Sequence, residues 1–178
     1  LAGRPMNAEV VTAICKNVGI SVQLGGGIRD MATIEAWLDS GLHRVILGTA
    51  AVKDPDLVIT ACRNFPDRIV VGVDARSGYV AVDGWSETSE ISDKDLVRRF
   101  EDTGVAAIIY TDIDRDGMMA GANVSATLEI ADVVRIPVIA SGGINSLSDI
   151  LSLYRYRDRG IKGAIIGRAL YEGNLDSQ

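Results

Sequence analysis

A chain of 178 residues with 47% hydrophobic content is long enough for one domain with a sizeable core. Its formal charge of -6 argues against a nucleic-acid binder, which normally carries a basic stripe, and no run approaches the roughly 18 apolar residues of a membrane span. One histidine and two scattered cysteines leave no transition-metal cluster and no disulfide framework, so Cys15 and Cys62 read as small buried hydrophobes in helices of a cytoplasmic protein.

The first helical pattern covers residues 7–17, and 21–25 (SVQLG) reads as the first strand. Asp30 then caps a helix whose Ile34, Trp37 and Leu38 share one face, with Gly41 just past its end. His43 falls in the turn before the second strand, 44–48 (RVILG), and reads as an exposed loop residue. Asp54-Pro55 places a cap before a proline at the first helical position, followed by Leu57, Val58 and Ala61. The third strand, 69–74 (IVVGVD), ends in an acid, and the stretch 79–83 reads as a small hairpin over the end of the sheet, with Trp85 beyond it. Ser92 with Asp95 three residues on resembles a capping box in which Asp replaces Glu or Gln; Leu96, Val97 and Phe100 follow, and Gly104 ends the helix. A fourth strand at 106–111 (AAIIYT), a helix at 125–134, a fifth strand at 137–141 (PVIAS), a helix at 146–157 and a sixth strand at 163–167 (GAIIG) complete the series.

The strands are nearly continuous runs rich in Val and Ile, as strands buried on both faces of a parallel sheet read. Strand and helix alternate, so the fold class is α/β with right-handed crossovers, either an open doubly wound sheet or a closed barrel. A repeat favours the barrel. Leu24-Gly25-Gly26-Gly27-Ile28 precedes a helix and then a strand ending Leu47-Gly48-Thr49-Ala50; Ala140-Ser141-Gly142-Gly143-Ile144 precedes a helix and then a strand ending Ile166-Gly167-Arg168-Ala169. Two halves offset by 116 residues, Gly26 to Gly142, make a protein of roughly 230 to 250 residues, the usual size of a (βα)8 TIM barrel. The counterpart of Asp74 in the first half would precede this sequence. The expectation is therefore one partial TIM-barrel domain over 1–178, with six strands visible, the first two strands absent and the last helix cut short after Asn174. Two unpaired sheet edges would follow.

A Gly-Gly pair at a strand end, opening onto a helix, lets backbone N–H groups approach an anion and adds the positive end of a helix dipole. Gly26 and Gly27 with Gly48 and Thr49 form one such set; Ser141, Gly142 and Gly143 with Gly167 and Arg168 form the other. Tight turns alone would explain one pair, but two matched sets point to two phosphates and to a bis-phosphorylated small-molecule substrate. Asp74 at a strand end reads as a turn cap or as a general acid or base. Thr111 and Asp112 end the next strand, and Asp116-Gly117 lies in the loop that follows. Asp114 and Arg115 read as solvated or paired with each other. Trp85 reads as surface-packed or as a platform for a flat heterocycle, and Trp37 as core.

The motifs LGGGIRD, VILGTAAVKDP, VGVDARSG, DGW, IIYTDIDRDGM, IASGGI and IIGRALYEG, in that order, resemble the isomerase family of histidine biosynthesis, one of the histidine/tryptophan-pathway (βα)8 barrels. The resemblance covers residues 8–176 and implies an Amadori rearrangement of a phosphoribosyl aminoaldose to its aminoketose, with no metal and no cofactor. It implies two aspartates, a general base and a general acid. The acid falls on Asp74, the base on a strand this sequence lacks, so the chain alone is expected to be inactive. The family's threonine falls on Thr111, its neighbouring aspartate on Asp116 and its stacking tryptophan on Trp85. The implied partner is the small-molecule substrate, with neither nucleic acid nor membrane, and the full-length protein is expected to be a monomer.

Three alternatives stand beside this expectation. The cyclase subunit of imidazole glycerol phosphate synthase shares the phosphate motifs but carries a lysine where this sequence has Arg76 in Asp74-Ala75-Arg76; Gly48-Thr49 and Asp83-Gly84-Trp85 also favour the isomerase. A bifunctional isomerase that also acts on phosphoribosylanthranilate is distinguished by assay with that substrate. A non-catalytic phosphate-binding fragment is distinguished by whether the coding sequence extends upstream into a strand ending in aspartate.

Overall fold

The computed structural model describes residues 7–175, so the ends of the expected 1–178 domain lie outside the described residues. Along the chain run α1 (Ala8–Asn17), β1 (Gln23–Gly25), α2 (Met31–Asp39), β2 (Arg44–Leu47), α3 (Thr49–Lys53), α4 (Pro55–Asn64) and β3 (Ile69–Arg76). A hairpin of β4 (Tyr79–Val82) and β5 (Glu87–Ser92) leads to α5 (Asp93–Arg98) and β6 (Ala107–Asp112). The chain continues through α6 (Val124–Ala131), β7 (Val138–Ser141), α7 (Leu147–Tyr154), a 3-10 turn (Arg157–Arg159), β8 (Ile161–Ala164) and α8 (Arg168–Tyr171).

The sheet runs β1-β2-β3-β6-β7-β8 with every neighbouring pair parallel, while the hairpin branches antiparallel from the end of β3. Sheet order follows chain order, the progression of a (βα)8 barrel. Among the described residues β1 and β8 are the two ends of that series, and the barrel is not closed.

Side chains alternate across each strand, and both faces are apolar. On the helix side, Ile69, Val71 and Val73 of β3 join Ile34 and Trp37 of α2, Val58 of α4, Leu96 of α5 and the fully buried Phe100. On the opposite side, Val70, Ala107 and Ile109 pack with Ile46 and Ile139. Asp74 shares the parity of Val70 and Gly72, so it projects on that second face, above the small apolar layer.

The expected caps at Asp30 and Asp54 hold: their carboxylates accept from the backbone N–H of Thr33 and Leu57. Ser92 accepts from Asp95 N–H, but the Asp95 carboxylate turns to Arg98, so the box expected there is half made. The complete reciprocal box lies at Ser146 and Asp149. The sixth strand, Ile161–Ala164, starts and ends earlier than 163–167, and its pairing with β7 shifts register between Val138 and Ile139. The helices expected at 125–134 and 146–157 are shorter, the second giving way to the 3-10 turn. β3 runs two residues past Asp74 to pair with β4, so Asp74 is not the last residue of its strand. Cys62 is buried in α4 and Cys15 half-buried in α1, both as free thiols; burial pushes the Cys62 thiol up to about 11. His43 is exposed and Trp37 is buried, as expected.

Candidate active site

Parallel pairing sets Asp74 of β3 directly beside Thr111 of β6, and both line one cavity of about 480 Å3 at the carboxyl end of the sheet. Extending β3 to Arg76 has a consequence for Asp74. The hairpin folds back over the strand end, and the Trp85 indole Nε1–H donates to Asp74 Oδ2 at 2.8 Å. Three successive residues at the hairpin tip are left-handed: Asp83 (φ 51), Gly84 (φ 68) and Trp85 (φ 72). That conformation costs a non-glycine residue about 1 kcal/mol, so the tip is held by contacts rather than by preference. The contacts are an Asp83 N–H donated to Thr49 Oγ1 at 3.0 Å and a Lys53 Nζ–Asp83 Oδ2 pair at 2.7 Å.

The same cavity holds the first glycine set, Gly26, Gly27, Gly48 and Thr49, together with Arg29 and Ala50. The second set, Gly142, Gly143, Gly167 and Arg168, lines an adjoining cavity of about 190 Å3. Ser141 and Ile165 border both, so the two cavities are ends of one groove. The sequence repeat is also a backbone repeat. Gly26 and Gly27 have φ of 108 and 68, Gly142 and Gly143 have φ of 91 and 78. Gly48 (φ -100, ψ -94) and Gly167 (φ -106, ψ -104) adopt the same conformation before α3 and α8. The halves differ in packing. A Cβ on Gly143 would lie 2.5 Å from the Gly121 carbonyl oxygen, whereas one on Gly27 would meet nothing within 4 Å.

Two helix starts flank each glycine set, and they differ in what fills them. The Asp30 carboxylate caps α2, and the Ser146 hydroxyl caps α7 while the Asp149 carboxylate accepts the N–H groups of Asn145 and Ser146 just before it. Beside the glycines, the cavities are also lined by the first residues of α3 and α8, whose N–H groups have no partner within the helix. The Arg168 guanidinium is engaged, donating to the Gly117 carbonyl at 3.0 Å and pairing with Glu172, so what Arg168 offers an anion is its backbone N–H.

Asp116 is exposed in the smaller cavity with Gly142 and Gly143, apart from the Asp74–Thr111 pair. Asp112, between them in sequence, is structural: its carboxylate accepts from Asn123 Nδ2 and from the Asp114 N–H. Of the two readings of Asp114 and Arg115, solvated or paired with each other, the pair is not formed and Asp114 is exposed. The extension of β3 brings Arg76 within 3.0 Å of Asp114, and Arg115 turns to the Gly121 carbonyl. Lys53 and Arg29 have no signal in the sequence that marks them for the site, and Asp83 has only its place in the Asp83-Gly84-Trp85 motif, an Asp-Gly turn beside Trp85. Behind the site, the Tyr110 hydroxyl donates to the buried Asp93 carboxylate at 3.0 Å, and burial together with Asp93 pushes the phenol up.

A parallel strand–helix series with its polar groove at the carboxyl ends of the strands defines a protein of the (βα)8-barrel class. The chain belongs to the family described as "Histidine biosynthesis protein", which matches residues 1–176. Among its relatives is a protein of Rhodospirillum centenum, 61% identical over 175 residues that make up 98% of this chain and 71% of the relative. A second, from Bradyrhizobium sp. strain BTAi1, is 59% identical over 175 residues, again 98% and 71%. A third, from Xanthobacter autotrophicus, is 59% identical over 177 residues, 99% of this chain and 72% of the relative. All three bear the name 1-(5-phosphoribosyl)-5-((5-phosphoribosylamino)methylideneamino)imidazole-4-carboxamide isomerase, ProFAR isomerase for short.

Proposed function

We propose that this chain is an aminoaldose–aminoketose isomerase of histidine biosynthesis that converts ProFAR to PRFAR, with Asp74 as general acid. The observation that carries the reading is the single groove with a backbone-matched glycine set at each end and Asp74 and Thr111 in its wall. The relatives' printed name describes a substrate with two phosphoribosyl groups, which suits a groove with two anion pockets.

In this reading Gly26, Gly27, Gly48 and Thr49 take one phosphate. Ser141, Gly142, Gly143 and the backbone of Gly167 and Arg168 take the other. Backbone donors let a protein of net charge -6 hold two dianions, because the local field at the glycines outweighs the distant carboxylates. Asp74, as the acid, delivers its proton to the ribose ring oxygen as the C1–O bond breaks and the nitrogen lone pair moves onto C1, leaving an open-chain protonated imine. Loss of the C2 proton to a base on the other face gives a neutral enolamine; C1 then gains a proton as the C2 hydroxyl returns one to the Asp74 carboxylate, giving the aminoketose, so the net change is an isomerisation. The base is assigned to the family's other aspartate, which falls on no residue of this sequence. Thr111 orients the opened chain beside Asp74, Asp116 borders the second phosphate, and Trp85 stacks on the substrate's imidazole. Neither a metal nor a cofactor enters these steps.

The proposed partner is the small molecule alone, acting on a single-domain, monomeric, cytoplasmic protein without nucleic acid. No described helix is long and apolar enough to cross a membrane. The test is turnover of ProFAR by the full-length protein, which carries the base as well as Asp74, followed by separation of the aminoketose. Conversion supports the reading; tight ProFAR binding with no conversion refutes it as an isomerase. Turnover of phosphoribosylanthranilate as well would assign the bifunctional alternative.

A further inference from the structure

We propose that Asp83, gripped by α3, is a positioning residue that couples occupancy of the first glycine pocket to the placement of Trp85 against Asp74. The inference rests on the reading that this pocket takes phosphate.

Thr49 and Lys53 stand four apart on α3 and therefore on one face of it. Both reach Asp83: Thr49 Oγ1 accepts the backbone N–H at 3.0 Å, and Lys53 holds the carboxylate at 2.7 Å. Two residues on, Trp85 donates to Asp74. A threonine hydroxyl accepts and donates at once, so Thr49 can keep the Asp83 N–H while giving its own proton to an anion in the pocket. Donation polarises the hydroxyl oxygen and strengthens the bond it receives. An anion at Thr49 thus tightens the Asp83 anchor. The left-handed backbone through Asp83, Gly84 and Trp85 has no intrinsic preference for its observed shape, so the anchor sets where the indole sits.

The test uses inorganic phosphate as the probe and two readouts on the same samples. Binding is followed by phosphorus NMR, and Trp85 shielding by acrylamide quenching. Trp37 is buried, and Trp85→Phe supplies its separate contribution. In the unmodified protein, phosphate shields Trp85. Lys53→Met removes an exposed ion pair and shifts the phosphate Kd by no more than about fivefold, yet most of the shielding is lost. Asp83→Asn removes a negative charge from the pocket wall, so it binds phosphate at least as tightly and still loses the shielding. During ProFAR turnover by the full-length enzyme both variants lower kcat more than they raise KM. Undiminished shielding in both variants, or phosphate binding without any shielding in the unmodified protein, overturns the coupling. Failure of phosphate to bind at all overturns the pocket assignment and the coupling with it.

Discussion

Asp74 and Trp85, eleven residues apart, are joined by a 2.8 Å hydrogen bond from the indole N–H to the carboxylate. The bond closes the hairpin back onto the strand from which it grew. It gives the tryptophan two separable properties: a flat ring that can lie against a substrate and a donor that fixes the acid. Trp85→Phe keeps the first and removes the second. Hydrogen bonds to charged groups contribute about 1.5–3 kcal/mol, so kcat should fall by about tenfold or more while KM stays within a few-fold. Trp85→Ala should raise KM as well. Steady-state kinetics of the two variants separates these outcomes, and equal kcat for Trp85→Phe and the unmodified protein would remove the donor role.

The two glycine pairs look alike in sequence and in φ, but they should not respond alike to alanine. At Gly27 (φ 68) the added methyl meets open space, so the cost is the left-handed conformation alone, about 1–2 kcal/mol. At Gly143 (φ 78) the methyl also strikes the Gly121 carbonyl at 2.5 Å, and backbone must move. Gly143→Ala should therefore destabilise by clearly more than Gly27→Ala, about 3 kcal/mol or above. Gly27→Ala should instead weaken phosphate binding while leaving the fold intact, because its methyl enters the pocket. Urea unfolding with a phosphate titration on each variant checks both halves of this expectation.

Burial of Cys62 makes stability fall in alkali. Its thiol is pushed from 9.0 to about 11 in the folded protein. Between these values the unfolded chain has lost the proton and the folded chain has kept it, so stability is unaffected below about pH 9 and declines as pH rises toward 11. The loss over that window is on the order of 2 kcal/mol. Tyr110, pushed up by burial and then by Asp93, extends the decline to higher pH. Cys62→Ala should lower stability at pH 7 by removing packed sulfur, yet move the onset of the alkaline decline up toward the unfolded tyrosine value, about pH 10. Urea midpoints between pH 7 and 11 check this, and an unchanged onset would contradict it.

Much of this arrangement is legible in the sequence because it depends on local signals. Asp30 and Asp54-Pro55 mark helix starts that the structure places where expected, and the valine- and isoleucine-rich runs mark strands buried on both faces. The glycine repeat locates both ends of the groove, since the residues that make each turn are adjacent in the chain. What escapes is short or non-local. β5 reads Glu-Thr-Ser-Glu-Ile-Ser and has no apolar face to announce it. α3 and α8 are too short for a periodic pattern. Asp114 finds Arg76 rather than its neighbour because β3 runs on past Asp74, and nothing near Asp114 encodes that extension. The grip of Lys53 on Asp83 spans thirty residues and depends on the same extension.

The most direct test of the central claim is the kcat of Asp74→Asn on ProFAR in the full-length enzyme. Asparagine preserves the shape of the side chain and an oxygen to accept the Trp85 N–H, but it has no acidic proton to give to the ring oxygen. The expected result is a kcat lower by about 10²- to 10⁴-fold with KM little changed and urea stability close to that of the unmodified protein. A kcat within a few-fold of the unmodified enzyme would contradict the assignment of Asp74 as the acid and, with it, the mechanism built around this groove.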